Sequence, residues 1–428
     1  MGQLTENIIN KMVSTLKLRG KVVILSAGQP SATPRLIKEA KTLYYTGFDV
    51  SVLYCPTSPW ADIFDQKLFS DYPKIHWIKV GYHSKHNIIT YTLARVRRKV
   101  SELLFSIIGD KIRLAECSLV LFNKELEKTS CSIKADLYIG HNIGTLSATV
   151  AAAKKYRAKA IFDLEDYHRG EHLPDSIQSR MIIFIENKYL PNLCYATAAS
   201  PLIMESYKMH FPDLPIYTIQ NTFPRCYAQK NISLIPEVPL KLFWFSQHIG
   251  MKRGLETVIE SMSRFAKNEI TLTLLGAASH EIKIYFQSLS EKLNLSEKQL
   301  LFLNPVSENE IVQIASQHHI GLASEYAHNV NRDFCLTNKI FTYLLAGNAL
   351  VLSDTHAQKY FLSENPGIGS LYEQNNAQQL TSVLKNYIGN SKLLSSQRQN
   401  ALELAKTKYN WDIEQYQFLD NVKSVLTS

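Results

Sequence analysis

Asn338 and Lys339 head a stretch, Leu336 to Asp354, whose residue types suit the binding of an anion. Ile340, Phe341, Leu344 and Leu345 recur at helical spacing on one side, and Gly347 closes the pattern, because the left-handed position after a helix suits glycine best. Ala349 to Leu352 is an apolar run of the kind that forms a buried parallel strand. Asn338 and Lys339 therefore belong to a helix start, beside unbonded N–H groups and the positive end of the dipole. The same pattern also fits an ordinary helix–turn–strand unit with a solvated lysine.

A second group of reactive side chains follows two short apolar runs. Asp136 to Gly140 ends at His141-Asn142, and Lys159 to Phe162 ends in the polar run Asp163 to Glu171. Carboxylates and imidazoles at strand ends can accept protons and hold hydroxyls, which makes His141, Asp166 and His168 the candidate catalytic residues. A lone histidine at a strand end is usually structural, but two such clusters on neighbouring strands argue for a site.

The elements that carry these residues repeat in order. Lys21 to Ala27 is a strand pattern, Pro34 to about Tyr45 a helix and Asp49 to Tyr54 a second strand, a unit that implies a parallel sheet. The small, flexible loop Gly28 to Thr33 lies where open α/β sheets bind ligands, but it lacks the GxGxxG fingerprint of dinucleotide sites. Residues 5–19 have the pattern of an amphipathic helix, and residues 89–128 carry one long helical pattern. From about residue 240 the rhythm restarts, with strands expected at Leu240 to Phe245, Thr271 to Leu275, Leu301 to Leu303, Ile320 to Ala323 and Gly369 to Tyr372. A final helical pattern covers Ala401 to Tyr409, and another follows from Trp411. The fold class is α/β, with two tandem doubly wound Rossmann-like domains facing across a cleft where a ligand would sit. The expected limits are 1–225, 226–405, and a C-terminal helix over 406–428 that returns to the first domain.

Chain length supports this division, since 428 residues suit two domains of about 200 each. The six cysteines include no CxxC pair, which fits neither a zinc site nor a disulfide framework and suits a reducing cytoplasm. No signal peptide is evident, and no window approaches a spanning helix of roughly 18 apolar residues. The formal charge of +9 points to polyanionic partners, namely nucleic acid, acidic lipid or phosphorylated small molecules. No nucleic-acid motif supports the first. Basic residues gather between Lys85 and Arg113, including Arg95, Arg97, Arg98, Lys99 and Lys111, among apolar Leu103, Leu104, Phe105, Ile107 and Ile108. Residues 91–113 fit a basic amphipathic helix on an anionic membrane surface. They fit better a helix packed on the sheet with its arginines facing water.

In order and spacing, five segments together resemble a GT-B-fold glycosyltransferase of the family 4 (group 1) type. They are SAGQPSATPRLIKEAKTLYYTGFDVSVL, ADLYIGHNIGTLSATVAAAKKYRAKAIFDLEDYHRGE, ASPLIMESY with IQNTFP, FWFSQHIGMKRGLETVIESM, and LTNKIFTYLLAGNALVLSD. The resemblance implies that the second domain binds a nucleotide-diphosphate sugar. Its diphosphate grip would fall to the loop Ser246 to Gly254, where Arg253 takes the family's lysine position and Gln247 departs from its arginine. Gly276 and Val306 match places that border the nucleotide, and Asn338-Lys339 matches a variant opening of the helix. The family's acidic motif pairs two glutamates, the second holding the ribose. Thr342 stands at that position here, and Glu325 lies 17 residues before it.

The resemblance further implies retention of anomeric configuration, no bound metal or other cofactor, and no strong enzymic base. His141 matches the family's histidine-bearing loop, and the run after Phe162 its aspartate-rich loop. The implied acceptor is a saccharide or a lipid-linked hydroxyl compound, used in surface polysaccharide or glycolipid synthesis in the cytoplasm or at the inner face of the membrane. Two other readings remain open: a nucleotide-sugar epimerase on the same fold, using Asp163 to His168, and an inactive scaffold relative, favoured by Thr342 and Gln247.

Overall fold

The apolar runs become strands of two parallel sheets. In the computed structural model, which describes residues 20–57, 61–82, 87–110, 112–230, 232 and 239–427, the first sheet holds β1 (Lys21–Ser26), β2 (Asp49–Tyr54), β3 (His76–Lys79), β4 (Leu137–His141), β5 (Lys159–Leu164), β6 (Tyr195–Ala198) and β7 (Ile216–Thr218). Their order is β3-β2-β1-β4-β5-β6-β7. The second holds β8 (Leu240–His248), β9 (Ile270–Ala277), β10 (Leu300–Leu303), β11 (Ile320–Ala323), β12 (Ala349–Ser353) and β13 (Gly369–Tyr372), ordered β10-β9-β8-β11-β12-β13. Every pairing described is parallel. The chain divides into two units, Met1–Ile219 with Gln415–Ser428, and Gln220–Glu414.

Each sheet has one point where the winding reverses, between β1 and β4 in the first and between β8 and β11 in the second. Loops leaving such a pair of strands part to opposite faces and open a crevice at the carboxyl edge. His141 ends β4, and Ser246 and Gln247 lie near the end of β8, so sequence-derived candidates occupy both crevices.

Several expectations need correction. The long pattern over 89–128 is three helices, Ile88–Ile108, Leu114–Leu119 and Asn123–Ser130. Gly109 and Arg113 break it by adopting positive φ, which an α-helix cannot contain. The first of these helices meets its expected orientation only in part. Arg95, Arg98 and Lys99 are exposed, but so is an apolar stripe, while half-buried Arg97 pairs with Glu125 and Arg98 also reaches the Ser118 carbonyl. The loop Gly28 to Thr33 is tied down: Gln29 is buried and donates to Asp62 and Asp65 at 2.8 and 3.0 Å, and Asp65 also accepts from the Ser31 amide. The pattern at Ala401 is the end of a longer helix, Ser391–Thr407, whose earlier turns are too polar to show a periodic signal. The helix expected over 5–19, Lys85, Lys111, and residues 231 and 233–238 near the expected domain limit lie outside the described residues.

The opening stretch folds as its pattern requires. Asn338–Ala346 is a helix, Gly347 caps it at φ 69°, and β12 is buried along its whole length. The helix lies hard against β11. Tyr343 is fully buried, donates to the Leu322 carbonyl at 2.9 Å, and covers Gly321 so closely that an added Cβ would sit 2.1 Å from the ring. Gly321 thereby sets how near the helix start comes to the end of β11. Gly321→Ala should destabilise the second unit by roughly 1–3 kcal/mol, the usual cost of overpacking a core, read as a lower urea midpoint at unchanged slope.

Candidate functional site

In the second unit the candidate residues converge at the crevice between β8 and β11. β8 and β9 lose register between Phe245 and His248, an irregularity that re-aims the side chains of Ser246 and Gln247. Gln247 is exposed, while Ser246 accepts a 3.1 Å hydrogen bond from the Arg253 guanidinium. The loop returns to its helix, Leu255–Met262, through Gly254 at φ 74°, whose missing side chain makes room for the Ser324 carbonyl, 2.3 Å from where a Cβ would be. Ser324 in turn donates to the Arg253 carbonyl at 3.0 Å. Gly276 on β9 allows the Ser246 carbonyl a similar approach. Val306, half-buried, follows β10 in the loop before the helix Glu308–Ser316.

Across the crevice, Glu325 follows β11 and Lys339 opens its helix. Both are buried, and the ammonium lies 2.5 Å from the carboxylate. Lys339 is thus an interior ion-pair partner rather than a solvated lysine. Burial lowers its pKa, and Glu325 opposes that fall while Arg253 adds to it. Burial would raise the Glu325 carboxyl, but Lys339, with Arg253 and Arg332, brings it below its ordinary value. The Arg253 pKa is itself lowered, first by burial. Arg253 and Lys339 also lie 5.7 and 5.2 Å from the ring of buried Trp244, within cation–π range. One acid at the first turn of a helix is thus paired with Lys339 and feels two further cations, Arg253 and Arg332, an arrangement suited to an added anion. Asn338 is half-buried at that turn, and Thr342, one turn on, is buried with its hydroxyl bonded back to the Asn338 carbonyl at 3.3 Å.

The first unit has a different arrangement. Arg35 and Glu39 from the helix Pro34–Tyr45 meet His141 of β4 and Asp163 of β5, and all four are essentially inaccessible. Arg35 pairs with Asp163 at 2.7 Å and Glu39 at 3.5 Å, and also donates to the Ile219 carbonyl. His141 holds Glu39 at 3.0 Å on Nε2 and Asp163 at 3.4 Å on Nδ1. Burial alone would lower the imidazole, but the two carboxylates raise it to about 10. Burial would raise Asp163, but Arg35 and His141 bring it to about 2. Glu39, His141 and Asp163 place ligand atoms within 4.8 Å of one another, close enough for a metal ion. These three are already engaged with one another and with Arg35, which pairs with Asp163 at 2.7 Å.

His168 lies in a separate buried group. Its Nδ1 is 2.6 Å from Glu171, its amide donates to the Tyr207 hydroxyl, and its Nε2 has no partner among the described residues. Burial would lower it, but Glu171 raises it to about 9. The three catalytic candidates are therefore divided between two clusters, with half-buried Asp166 adding negative charge near His168. Glu165 was not singled out in the sequence. Its carboxyl is raised to about 7 by burial and then by Asp163 and Asp166, so it can hold or release a proton near neutrality. Its signal in the sequence was three acids within four residues at a strand end.

No family model and no curated protein sequence matches the chain. Solved structures do. HepE from Anabaena, solved with UDP, has a TM-score of 0.69 at 15% identity, over 94% of this chain and 100% of the other. Sucrose-phosphate synthase from Thermosynechococcus elongatus gives 0.71 at 12%, over 96% and 100%. A glycosyltransferase from Rickettsia africae gives 0.64 at 14%, over 96% and 99%. At such identities the likeness shows the fold, which is the GT-B arrangement of two Rossmann-like units in one chain.

Two measurements test these assignments. Glu325→Gln leaves the Lys339 ammonium buried without its counter-charge and should cost about 3–5 kcal/mol, whereas the double change Glu325→Leu with Lys339→Met should recover most of it. Chemical unfolding of the single and double variants reads both. In the first unit the raised imidazole favours folding fully below about pH 6.5 and loses that effect as pH rises through about 10. Asp163, lowered, favours folding above about pH 3.8 and loses that effect as pH falls through about 2. Glu165, an acid held above its ordinary 4.5, adds a fall in stability between about 4.5 and 7. Unfolding midpoints across pH should therefore drop on both sides, and His141→Gln should flatten the segment from 6.5 to 10.

Proposed function

We propose that this GT-B chain is a retaining glycosyltransferase that moves a sugar from a nucleotide-diphosphate sugar to a hydroxyl acceptor. The observation that carries the reading is the group Arg253, Lys339 and Arg332 around the single acid Glu325, at the first turn of the helix Asn338–Ala346. HepE has been solved with UDP, with UDP and glucose, and with UDP-glucose, which supports a uridine diphosphate sugar as the first donor to test. The acceptor class we favour is a saccharide or lipid-linked alcohol of surface polysaccharide or glycolipid synthesis, used on the cytoplasmic side.

The residues suggest how transfer proceeds. As the bond between the anomeric carbon and the diphosphate oxygen breaks, negative charge grows on the leaving group. Arg253, which can donate two parallel hydrogen bonds, and the helix start at Asn338 and Lys339 stabilise that charge where it develops. The acceptor oxygen bonds to the anomeric carbon on the face the diphosphate leaves, and its proton passes to the departing phosphate. No metal is required in this scheme, because the cations are side chains. Glu165, half-buried and near neutrality in its titration, is the first-unit group best suited to steady an acceptor hydroxyl.

Calorimetric titration with UDP, GDP and ADP tests the reading. One of the three should bind, with a change in Trp244 fluorescence, since two of the anion-binding cations lie against its ring. Arg253→Ala and Lys339→Ala should each weaken that nucleotide roughly 10- to 100-fold, the range for hydrogen bonds to a charged group, with folding checked by circular dichroism. A chain that binds none of the three is not a transferase of this kind. Product analysis with a labelled donor then separates transfer from epimerisation.

A further inference from the structure

The helix Ile88–Ile108 presents an apolar stripe to solvent. Ile89, Leu93, Val96, Val100, Leu103 and Ile107 recur at alternating spacings of four and three, and each is between 48% and 71% exposed. At about 100° per residue they fall within an arc of about 80°. The opposite face, Ala94, Ser101 and Phe105, is buried. The helix cannot roll the stripe inward without losing the bonds that fix its rotation. Arg97 grips Glu125 at 2.7 and 2.9 Å and the Leu121 carbonyl at 2.9 Å, Arg98 donates to the Ser118 carbonyl at 2.9 Å, and Gln178 donates to Glu102 at 2.8 Å.

The charges beside the stripe have one sign. Arg95 and Lys99 are exposed along one edge, while Glu102, the acid of this helix, is bonded to Gln178. We propose that this helix is a docking surface for an anionic lipid bilayer, lying in the membrane plane with its stripe in the acyl boundary and Arg95 and Lys99 among the headgroups. Attachment of this kind needs no spanning segment, and no described helix is long and apolar enough to cross a membrane. A second copy of the chain could use the alternating spacing as a seam, but its helix would bring the same basic edge, and the described acids beside it are already bonded, Glu102 to Gln178 and Glu125 to Arg97. The charge pattern therefore favours lipid. Docking is independent of donor chemistry and can be measured without turnover.

The test is cosedimentation of the full chain with phosphatidylcholine vesicles, with and without phosphatidylglycerol, alongside sedimentation velocity. A monomer should bind the phosphatidylglycerol vesicles well above the neutral ones. Arg95→Gln with Lys99→Gln should weaken that binding roughly 30-fold, as expected for two basic residues at a lipid surface. Val96→Glu with Val100→Glu should abolish it, with an unchanged melting profile. Three results would each overturn the proposal. They are binding indifferent to both double variants, a dimer that Val96→Glu with Val100→Glu dissociates and that ignores vesicles, and a monomer that binds neither vesicle, which would mean the chain itself covers the stripe.

Discussion

Lys339 and Glu325 are buried together, and neither could stay charged there without the other. Much of the second unit's geometry serves that one ion pair. Gly321 lets Tyr343 draw the helix start down to β11, and Gly254 lets the Ser324 carbonyl approach the loop that carries Arg253. The pair does not consume the local charge, because Arg253 and Arg332 add two further cations close enough to shift both partners. The local charge is thus incompletely balanced, which is the basis of the proposed anion site.

The buried group in the first unit differs in its balance. With His141 protonated, Arg35 and His141 carry two positive charges against the two negative charges of Glu39 and Asp163. A closed, neutral quartet has little to offer a substrate. Its work is to tie the helix Pro34–Tyr45 to the carboxyl ends of β4 and β5 at the point where the sheet reverses. Reactivity passes to its margin, where Glu165 feels Asp163 and Asp166 and stays near neutrality. His141, in the sequence the more conspicuous proton acceptor, is buried in this group with both ring nitrogens facing carboxylates.

What was legible in the sequence follows from how far each signal reaches along the chain. Strands such as Lys21–Ser26 and Ala349–Ser353, and the glycine stop at Gly347, declare themselves within a few residues, because burial on both faces and a left-handed cap each leave a local mark. Ser246, Arg253, Gly254, Glu325 and Lys339 fell at one crevice because parallel winding brings the ends of β8 and β11 together, whereas Val306 follows β10 at the edge of the sheet. Pairings between distant residues were not legible. Nothing near Lys339 announces Glu325 as its partner, and nothing near His141 announces Glu39, 102 residues away. The basic helix misled for a related reason. Its basic residues seemed to claim the whole solvent face, yet Arg97 is half-buried against Glu125 and the Leu121 carbonyl, Arg98 also reaches the Ser118 carbonyl, and an apolar stripe lies outside beside Arg95 and Lys99.

Thr342 lies one helical turn beyond Asn338 on the same face and is buried, with its hydroxyl committed to the Asn338 carbonyl. A carboxylate at that position would add a second acid to a group of three cations and lower its excess from two positive charges to one. A neutral threonine leaves the excess positive charge in place. It exchanges a charge-assisted grip on a hydroxyl, worth about 1.5–3 kcal/mol, for at most a neutral hydrogen bond of about 0.5–1.5 kcal/mol. Under the proposed function, recognition would then shift from the ribose toward the diphosphate. The departure at Thr342 is thus compatible with the proposed anion site, because Arg253 and Lys339, which would hold the charge, are held by Ser246 and Glu325 and not by Thr342.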